Sequence, residues 1–136
     1  MKYQILTLIA LLIIYLGSCM PREQKAQELL REGSEKVAQS QHEEAIKLFS
    51  KAIMLMPEFA VAYSYRGSAK FDLGDLNGAH EDYTKAIEID PTYAEPYDFR
   101  GRIKQLWYDE AGACEDFLKA AALGRPNMSE KVRRCE

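Results

Sequence analysis

Five side chains in this sequence offer thiol or imidazole chemistry, and their spacing limits what they can do. The cysteines are Cys19, Cys114 and Cys135, and the histidines are His42 and His80. Neither histidine has a second histidine or a cysteine at metal-ligand spacing. The chain also lacks the Gly-x-Ser-x-Gly motif, a phosphate-cradling glycine loop and a Cys-x-x-Cys-His motif. The sequence therefore predicts no catalytic residue, no metal site and no cofactor, and we do not expect an enzyme.

The N-terminal segment has the composition of a secretory signal. Lys2 supplies a positive charge, residues 5–16 are almost wholly apolar, and small residues follow. The ending Leu16-Gly17-Ser18-Cys19 resembles a bacterial lipobox, which implies that residues 1–18 are removed and that Cys19 is lipidated, with palmitate among the expected acyl chains. An uncleaved membrane anchor and a plain signal peptide are the alternatives. All three place the rest of the chain outside the cytoplasm.

Cys114 and Cys135 form an even pair once Cys19 is assigned to the lipid. A compartment outside the cytoplasm is oxidising, and we expect Cys135 to end a segment that folds back beside Cys114. We predict a disulfide that closes a loop of about 20 residues and contributes about 3 kcal/mol in the chain-entropy model. The alternative is a small buried thiol at Cys114 and a frayed Cys135.

Most of the remaining chain repeats itself every 34 positions, with glycines, lysines, alanines and aromatic residues returning in register. Self-similarity at this period indicates a helical repeat protein, a class that usually binds other proteins. The residues that we expect to pack the repeats together are Gly33, Ala45, Phe49, Ala52, Tyr63, Gly67, Ala79, Tyr83, Ala86, Tyr97, Gly101, Ala113, Phe117 and Ala120.

Each repeat is predicted to be a helical hairpin. Gly74 ends the first helix of the second hairpin, and Asp75 is a good cap for the next helix. The predicted helices span residues 22–38, 42–55, 60–73, 76–89, 94–106 and 110–123. Asn127 and Glu130 have the spacing of a capping box that opens a terminal helix through Arg134. We expect this helix to cover the open face of the third hairpin.

These patterns resemble the tetratricopeptide repeat (TPR) family over about residues 24–124. The first repeat departs at Glu32, where the family usually has leucine, and the third has Tyr108 where a turn glycine is usual. The resemblance implies an all-α fold of three helix-turn-helix hairpins, stacked as a short right-handed solenoid with a C-terminal capping helix. The expected organisation is a signal peptide (1–18), a lipid anchor and tether (19–23), three repeats (24–59, 60–93 and 94–126) and the capping helix (127–136).

Two arginines stand where leucine is common in the family, and each has an aspartate sixteen residues later. The pairs are Arg66 with Asp82 and Arg100 with Asp116. Our hypothesis is an ion pair within each hairpin, and the alternative is that these charges are separately solvated.

The first helix of each hairpin has a stripe of residues that packing does not require, because side chains advance by about 100° per residue. In TPR arrays this stripe lines a concave groove, the usual peptide site. Tyr65, Phe71 and Phe99 indicate a contact surface there, and packing against adjacent repeats is the alternative. The candidate binding face is Ser64, Tyr65, Ser68, Phe71, Asp72, Asp98, Phe99, Arg102 and Gln105, in which Asp98 and Arg102 are spaced to pair with each other.

One ligand is not expected on this stripe. TPR domains that clamp the C-terminal carboxylate of cytosolic chaperones use lysine and asparagine side chains. The matching positions here hold no positive charge and no amide, and Glu95 would repel a carboxylate. These positions are Leu30, Ser34, Tyr65, Glu95 and Phe99.

The overall charge excludes a broad nucleic-acid interface, because 18 basic residues face 21 acidic ones without a long basic run. We expect a lipid-anchored adaptor of the bacterial cell envelope that binds a protein or peptide partner at the membrane, in an assembly or secretion complex. Met20, in place of the aspartate that signals inner-membrane retention in some bacteria, favours the outer membrane. The alternative is a structural module that self-associates through its open stacking faces.

Overall fold

The computed structural model describes residues 21–135, so Cys19 and the predicted signal peptide lie outside it. Seven helices are found in this range: α1 (Arg22–Ala38), α2 (His42–Leu55), α3 (Ala60–Asp72), α4 (Leu76–Ile89), α5 (Ala94–Leu106), α6 (Glu110–Ala122) and α7 (Ser129–Arg133). Helices α1 and α2, α3 and α4, and α5 and α6 pack as three hairpins, and α7 packs on α6. This is the predicted all-α architecture. Within residues 21–135, no helix has the length and hydropathy needed to cross a bilayer.

The helix boundaries agree with the sequence to within one residue for the six long helices. Asp75 and Asp109 cap α4 and α6, since their carboxylates accept hydrogen bonds from the N–H groups of Gly78 and Gly112 at 2.9 Å. An exposed carboxylate at this position satisfies a backbone donor that has no partner within the helix. The paired helices of the second and third hairpins therefore meet at a capped turn, whereas Gln41 at the start of α2 makes no capping hydrogen bond.

The predicted start of the terminal helix is wrong. Asn127 has φ 60°, which is a left-handed turn conformation, and α7 begins only at Ser129. Met128, whose side chain makes no capping hydrogen bond, stands at the N-cap instead. Met128 is buried against Tyr97 and Phe117, so apolar packing rather than a capping box positions α7. The terminal helix covers the third hairpin, as expected.

The recurring glycines let the two helices of each hairpin approach closely. A β-carbon built on Gly33 would lie 2.4 Å from the ring of Phe49, and one built on Gly101 would lie 2.7 Å from the ring of Phe117. All the predicted packing residues are buried except Tyr63, which is partly exposed.

The hypothesis of an ion pair within each hairpin is confirmed. Arg66 donates two hydrogen bonds to the carboxylate of Asp82, at 2.9 and 2.7 Å, and Asp82 is buried. Lys70 adds a second cation at 2.9 Å. Arg66 also donates to Ser50 at 3.1 Å, which ties the second hairpin to helix α2 of the first.

The third hairpin repeats this arrangement around Asp116. Arg100 donates to Asp116 at 2.9 and 2.7 Å and to Thr84 of the preceding hairpin at 3.2 Å. Lys104 again supplies the second cation. Lys70 and Lys104 therefore share the role of the arginines, whereas Lys36, the lysine at the same position of the first hairpin, pairs with the exposed Glu44.

Candidate functional site

The concave groove is formed by helices α1, α3 and α5, and it contains a cavity of about 280 Å³. The cavity lies mainly on the predicted stripe, with Phe49 of α2 at its base. Its lining residues are Ser34, Val37, Phe49, Tyr65, Ser68 and Glu95. Two residues of the predicted binding face, Tyr65 and Ser68, are thus brought together at one apolar depression.

Tyr65 is fixed in place by the packing of the first two hairpins. Its ring stands edge-on to Phe49, with the centroids 5.9 Å apart and the planes at 75°. Ser68 lies one turn further along α3 and pairs its hydroxyl with that of Tyr83 at 3.0 Å. Burial raises the pKa of Tyr83, so this phenol stays protonated at neutral pH. The cavity wall is therefore preorganised by neighbouring side chains.

Phe99 lies at the third-hairpin end of the groove and is also fixed by its neighbours. Its ring stacks on Tyr83 at 5.5 Å between centroids, and the guanidinium of Arg102 lies 4.8 Å from the ring centre. Phe71 packs with Phe99 against the core cluster formed by Tyr83 and Ile103. Packing against adjacent repeats, the alternative weighed for these aromatics, is thus observed. Contact with a ligand remains a prediction.

Two residues of the predicted binding face are not available to a ligand. Ser64 is 0% exposed and Asp98 is 2% exposed. Both stripe positions are covered because adjacent hairpins lean on α3 and because the segment after α6 folds back over α5. The predicted pairing of Asp98 with Arg102 is present at 3.1 and 3.2 Å, but it belongs to a larger cluster.

Arg125 and Lys131 complete that cluster, and the sequence analysis missed both. Lys131 of α7 donates to Asp98, and Arg125 lies 3.5 Å from Asp98 and 3.4 Å from Glu95. Burial alone would raise the pKa of Asp98, but the hydrogen bonds from Lys131 and Arg102 hold it below its ordinary value. The only sequence signal was a set of basic residues in the segment that caps α5 and α6.

The remaining predicted residues lie toward the hairpin turns. Asp72 is exposed at the end of α3, where its carboxylate is 3.6 Å from Nδ1 of His42, and Gln105 is half-buried near the end of α5. Within residues 21–135, no group of three or more histidine, cysteine or acidic side chains is arranged to hold a metal ion.

Cys114 and Cys135 are joined by a disulfide, with their α-carbons 5.5 Å apart. The alternative of a buried thiol and a frayed terminus does not hold. The disulfide and the contact between Lys131 and Asp98 both fasten α7 to the third hairpin. The burial of Asp98 on α5 therefore depends on the C-terminal segment.

Comparison with known proteins gives the same repeat. Residues 60–93, the predicted second repeat, match the tetratricopeptide repeat family model. Tetratricopeptide repeat protein 36 of Xenopus tropicalis is 44% identical over 59 residues, which are 43% of this chain and 29% of that protein. The chain thus spans less than a third of the length of this relative.

Solved structures cover most of the chain. The first TPR of Spaghetti (RPAP3), bound to the HSP90 peptide SRMEEVD, superposes with a TM-score of 0.78 at 25% identity and covers 82% of this chain and 90% of that one. The Arabidopsis OM64 TPR domain gives 0.77 at 23% identity, over 85% of this chain and 99% of that one. The first TPR domain of human RPAP3 gives 0.76 at 24% identity, over 82% and 90%.

The fold is therefore that of a TPR array. Repeats of this kind generally mediate contacts between proteins and do not catalyse reactions. The organisms named for these relatives are eukaryotes, so the comparisons give no support to the bacterial origin that the lipobox resemblance implies.

Proposed function

We propose that this stack of tetratricopeptide repeats is an adaptor that holds a segment of a partner protein in its concave groove. The cavity of about 280 Å³ at Tyr65 carries this proposal, since it is open, largely apolar and walled by fixed side chains. A preorganised depression of this kind suits one apolar side chain of an extended peptide. The Spaghetti domain, solved with a bound peptide, supports this use of the same fold.

The ligand differs in charge from an acidic C-terminal tail. The positions that would clamp a carboxylate hold Leu30, Ser34 and Glu95 among others, and none is cationic. The cations that do reach the groove, Arg102, Arg125 and Lys131, contact the carboxylates of Asp98 and Glu95. A segment with an apolar anchor and neutral or basic neighbours fits the groove better than the acidic peptide SRMEEVD.

We further propose that Cys19 is lipidated and that the adaptor works at a membrane of the cell envelope, in an assembly or secretion complex. The lipobox resemblance supports this assignment. Helix α1 begins at Arg22, so only Met20 and Pro21 separate it from the anchor. Each residue of extended chain spans at most about 3.6 Å, so the first hairpin would lie within roughly 10 Å of the bilayer surface.

A self-associating module is the second candidate, because the outer face of the first hairpin is open. Leu29, Leu48 and Leu55 line a depression there, and Met54 is 76% exposed. Glu32 and Leu48 stand where the other hairpins carry their arginine and aspartate. Apolar side chains share this face with Lys25, Glu32 and Lys51, and within residues 21–135 no other hairpin packs on it, which leaves it free to stack on a second copy.

A cross-linking experiment on the native envelope separates these functions. Residues 20–136 serve as bait, beside Tyr65→Ala in the groove and Met54→Glu on the open face. Circular dichroism confirms that each variant is folded. A partner that cross-links to wild type and Met54→Glu but not to Tyr65→Ala would establish the adaptor. Self-cross-linked species lost only with Met54→Glu would establish the module instead.

The lipid assignment is tested separately by the intact mass of the chain isolated from bacterial membranes. We expect the loss of residues 1–18 and the added mass of the lipid, both abolished by Cys19→Ser. An unprocessed mass in the wild-type protein would favour an uncleaved anchor, and a processed mass without lipid would favour a plain signal peptide.

A further inference from the structure

The turn of the third hairpin presents three consecutive large apolar residues to solvent. Leu106 is 55% exposed, Trp107 is 42% exposed and Tyr108 is 92% exposed. Leu73, at the position of Trp107 in the second hairpin, is also exposed. We call these four residues the turn-edge patch. Scattered exposed apolar residues are ordinary, but a contiguous group with tryptophan and tyrosine is typical of contact surfaces.

The stability of the fold does not explain why a tyrosine stands at position 108. Its φ is 61°, and the equivalent turn residues are Ser40 and Gly74. A bulky side chain is disfavoured in the left-handed region, whereas glycine is not. A residue that strains the turn and buries almost no surface costs stability, so its presence points to a role outside folding.

Trp107 is held in position for contact. Its ring lies against that of His80, with centroids 5.1 Å apart, and the residue remains 42% exposed. Burial, with the nearby charges of Arg100 and Lys104, lowers the pKa of His80, so the imidazole is neutral at neutral pH. The ring of Trp107 is therefore held in place, and His80 beside it adds no positive charge to the patch.

The surroundings of the patch are uniformly acidic. The three turn segments, residues 38–44, 72–78 and 106–112, contain six acidic residues and no lysine or arginine. All six are exposed: Glu43, Glu44, Asp72, Asp75, Asp109 and Glu110. The lysines that precede these segments are all paired: Lys36 with Glu44 at 3.0 Å, and Lys70 and Lys104 with the buried carboxylates of Asp82 and Asp116. The edge therefore attracts basic groups and repels an anionic membrane.

The location separates this patch from the start of the first hairpin. Helices α1, α3 and α5 all run toward the turn edge, and α1 has 17 residues. At about 1.5 Å per residue, the turn edge lies roughly 25 Å from the start of α1. If the lipid is at Cys19, the patch faces away from the bilayer.

We propose that the turn-edge patch is a second docking surface, which binds a protein segment carrying basic and apolar side chains. The apolar side chains contact Leu106, Trp107 and Tyr108, and the basic ones pair with the acidic residues around them. The groove is not required for this contact, so the proposal stands apart from the function proposed above.

Fluorescent 12-residue peptides test this proposal by anisotropy with the full chain as isolated. One peptide alternates lysine with leucine and phenylalanine, a second has serine at the apolar positions, and a third has glutamate in place of lysine. We expect saturable binding of the first peptide alone, with a blue shift of Trp107, the single tryptophan of the chain. The double variant Leu106→Ser, Tyr108→Gly should bind about tenfold more weakly, whereas Tyr65→Ala should bind normally.

Thermal unfolding supplies a second readout. Tyr108→Gly alone should raise the Tm, because glycine adopts the left-handed turn conformation without strain. It should also weaken peptide binding, because the contact with the tyrosine ring is lost. A lower Tm would make Tyr108 a structural residue and overturn the proposal. Equal binding of the serine peptide, or binding unchanged in the double variant, would also overturn it. If the protein bound phosphatidylcholine vesicles but not the peptide, and this binding required Tyr108, the partner of the patch would be a membrane and the proposal of a protein partner would be wrong.

Discussion

At the residue scale, each periodic glycine is explained by the aromatic ring that it faces. Gly33, Gly67 and Gly101 lie in the middle of a helix, where glycine is less favourable than alanine by about 1 kcal/mol. The compensation is the close approach of the second helix of the hairpin. The clearance differs, however, because a β-carbon would lie 2.4 Å from Phe49 at Gly33 but 3.1 Å from Tyr83 at Gly67.

This difference in clearance gives a matched pair of substitutions. We expect Gly33→Ala to lower the free energy of unfolding by about 1–3 kcal/mol, because the new methyl group overpacks the buried Phe49 ring. Gly67→Ala should cost clearly less, since a small shift of Tyr83 suffices and the helix gains about 1 kcal/mol in propensity. Urea unfolding followed by circular dichroism measures both. A Gly33→Ala protein as stable as Gly67→Ala would contradict this account of the spacing.

At the element scale, the arginine–aspartate pairs join helices both within and between hairpins. Arg66 connects α3 to Asp82 of α4 and to Ser50 of α2, and Lys70 binds the same carboxylate. Hydrogen bonding to Asp82 raises the pKa of Arg66. A buried carboxylate that faces two cations and accepts two hydrogen bonds from one bidentate arginine is satisfied, so removing one partner leaves the others in an unfavourable environment.

A double-mutant cycle on Arg66→Met and Asp82→Asn measures this connection. We expect a coupling energy above about 1 kcal/mol, because both groups are largely removed from water. The exposed pair of Arg31 and Glu35 on α1 is the control within the same chain, and it should couple by no more than about 0.5 kcal/mol. Equal coupling energies in the two cycles would show that the burial of Asp82 does not strengthen its ion pair with Arg66.

The helices themselves could be read from the sequence, because their signals are local. Asp75 caps α4 and the alanine and aromatic periods mark the packed faces, so the long helices end within one residue of the predicted positions. The start of α7 could not be read in this way. Asn127 has the local pattern of a cap, but the burial of Met128 against Phe117 decides where the helix begins.

The same division between local and distant contacts applies to the site. Helical spacing placed Tyr65 and Ser68 on one stripe of α3, and the resemblance to TPR arrays placed that stripe in the groove, where the cavity contains both. Asp98 was predicted to be available because its position on α5 is free within a hairpin. It is buried because Arg125 and Lys131, 27 and 33 residues later, fold over it. No local pattern reports a contact at that distance.

At the scale of the whole molecule, residues 21–135 cover the array at its C-terminal end and leave its first hairpin uncovered. The first hairpin leaves Met54 and its neighbours uncovered, whereas α7 covers the third with Met128, the disulfide and Lys131. In a repeat protein each hairpin is stabilised only by its neighbours, so the terminal units are the first to open. A helix of five residues has no stability of its own in water, so α7 depends on these attachments.

Breaking the disulfide should therefore loosen α7 and, with it, the cover that the C-terminal segment forms over Asp98. We expect Cys114→Ser with Cys135→Ser to lower the free energy of unfolding by up to about 3 kcal/mol, since the bridge spans 21 residues. Hydrogen exchange should become faster in residues 127–135 and around Asp98, while α1–α3 stay protected. Unchanged exchange in residues 127–135 would show that Met128 and Lys131 suffice to hold α7.

In the variant that lacks the disulfide, low pH should release α7 from the third hairpin. Because the pKa of Asp98 is lower in the folded state than its ordinary value near 3.9, its contribution is complete above that value and is lost as the pH falls below it. In the double-serine variant, the protection factors of residues 127–135, which correct for the slower intrinsic exchange at low pH, should fall further over this range. Asp98→Asn should remove that acid dependence, because an amide cannot titrate and pairs only weakly with Lys131. An acid response that persists in Asp98→Asn would assign the attachment of α7 to other carboxylates.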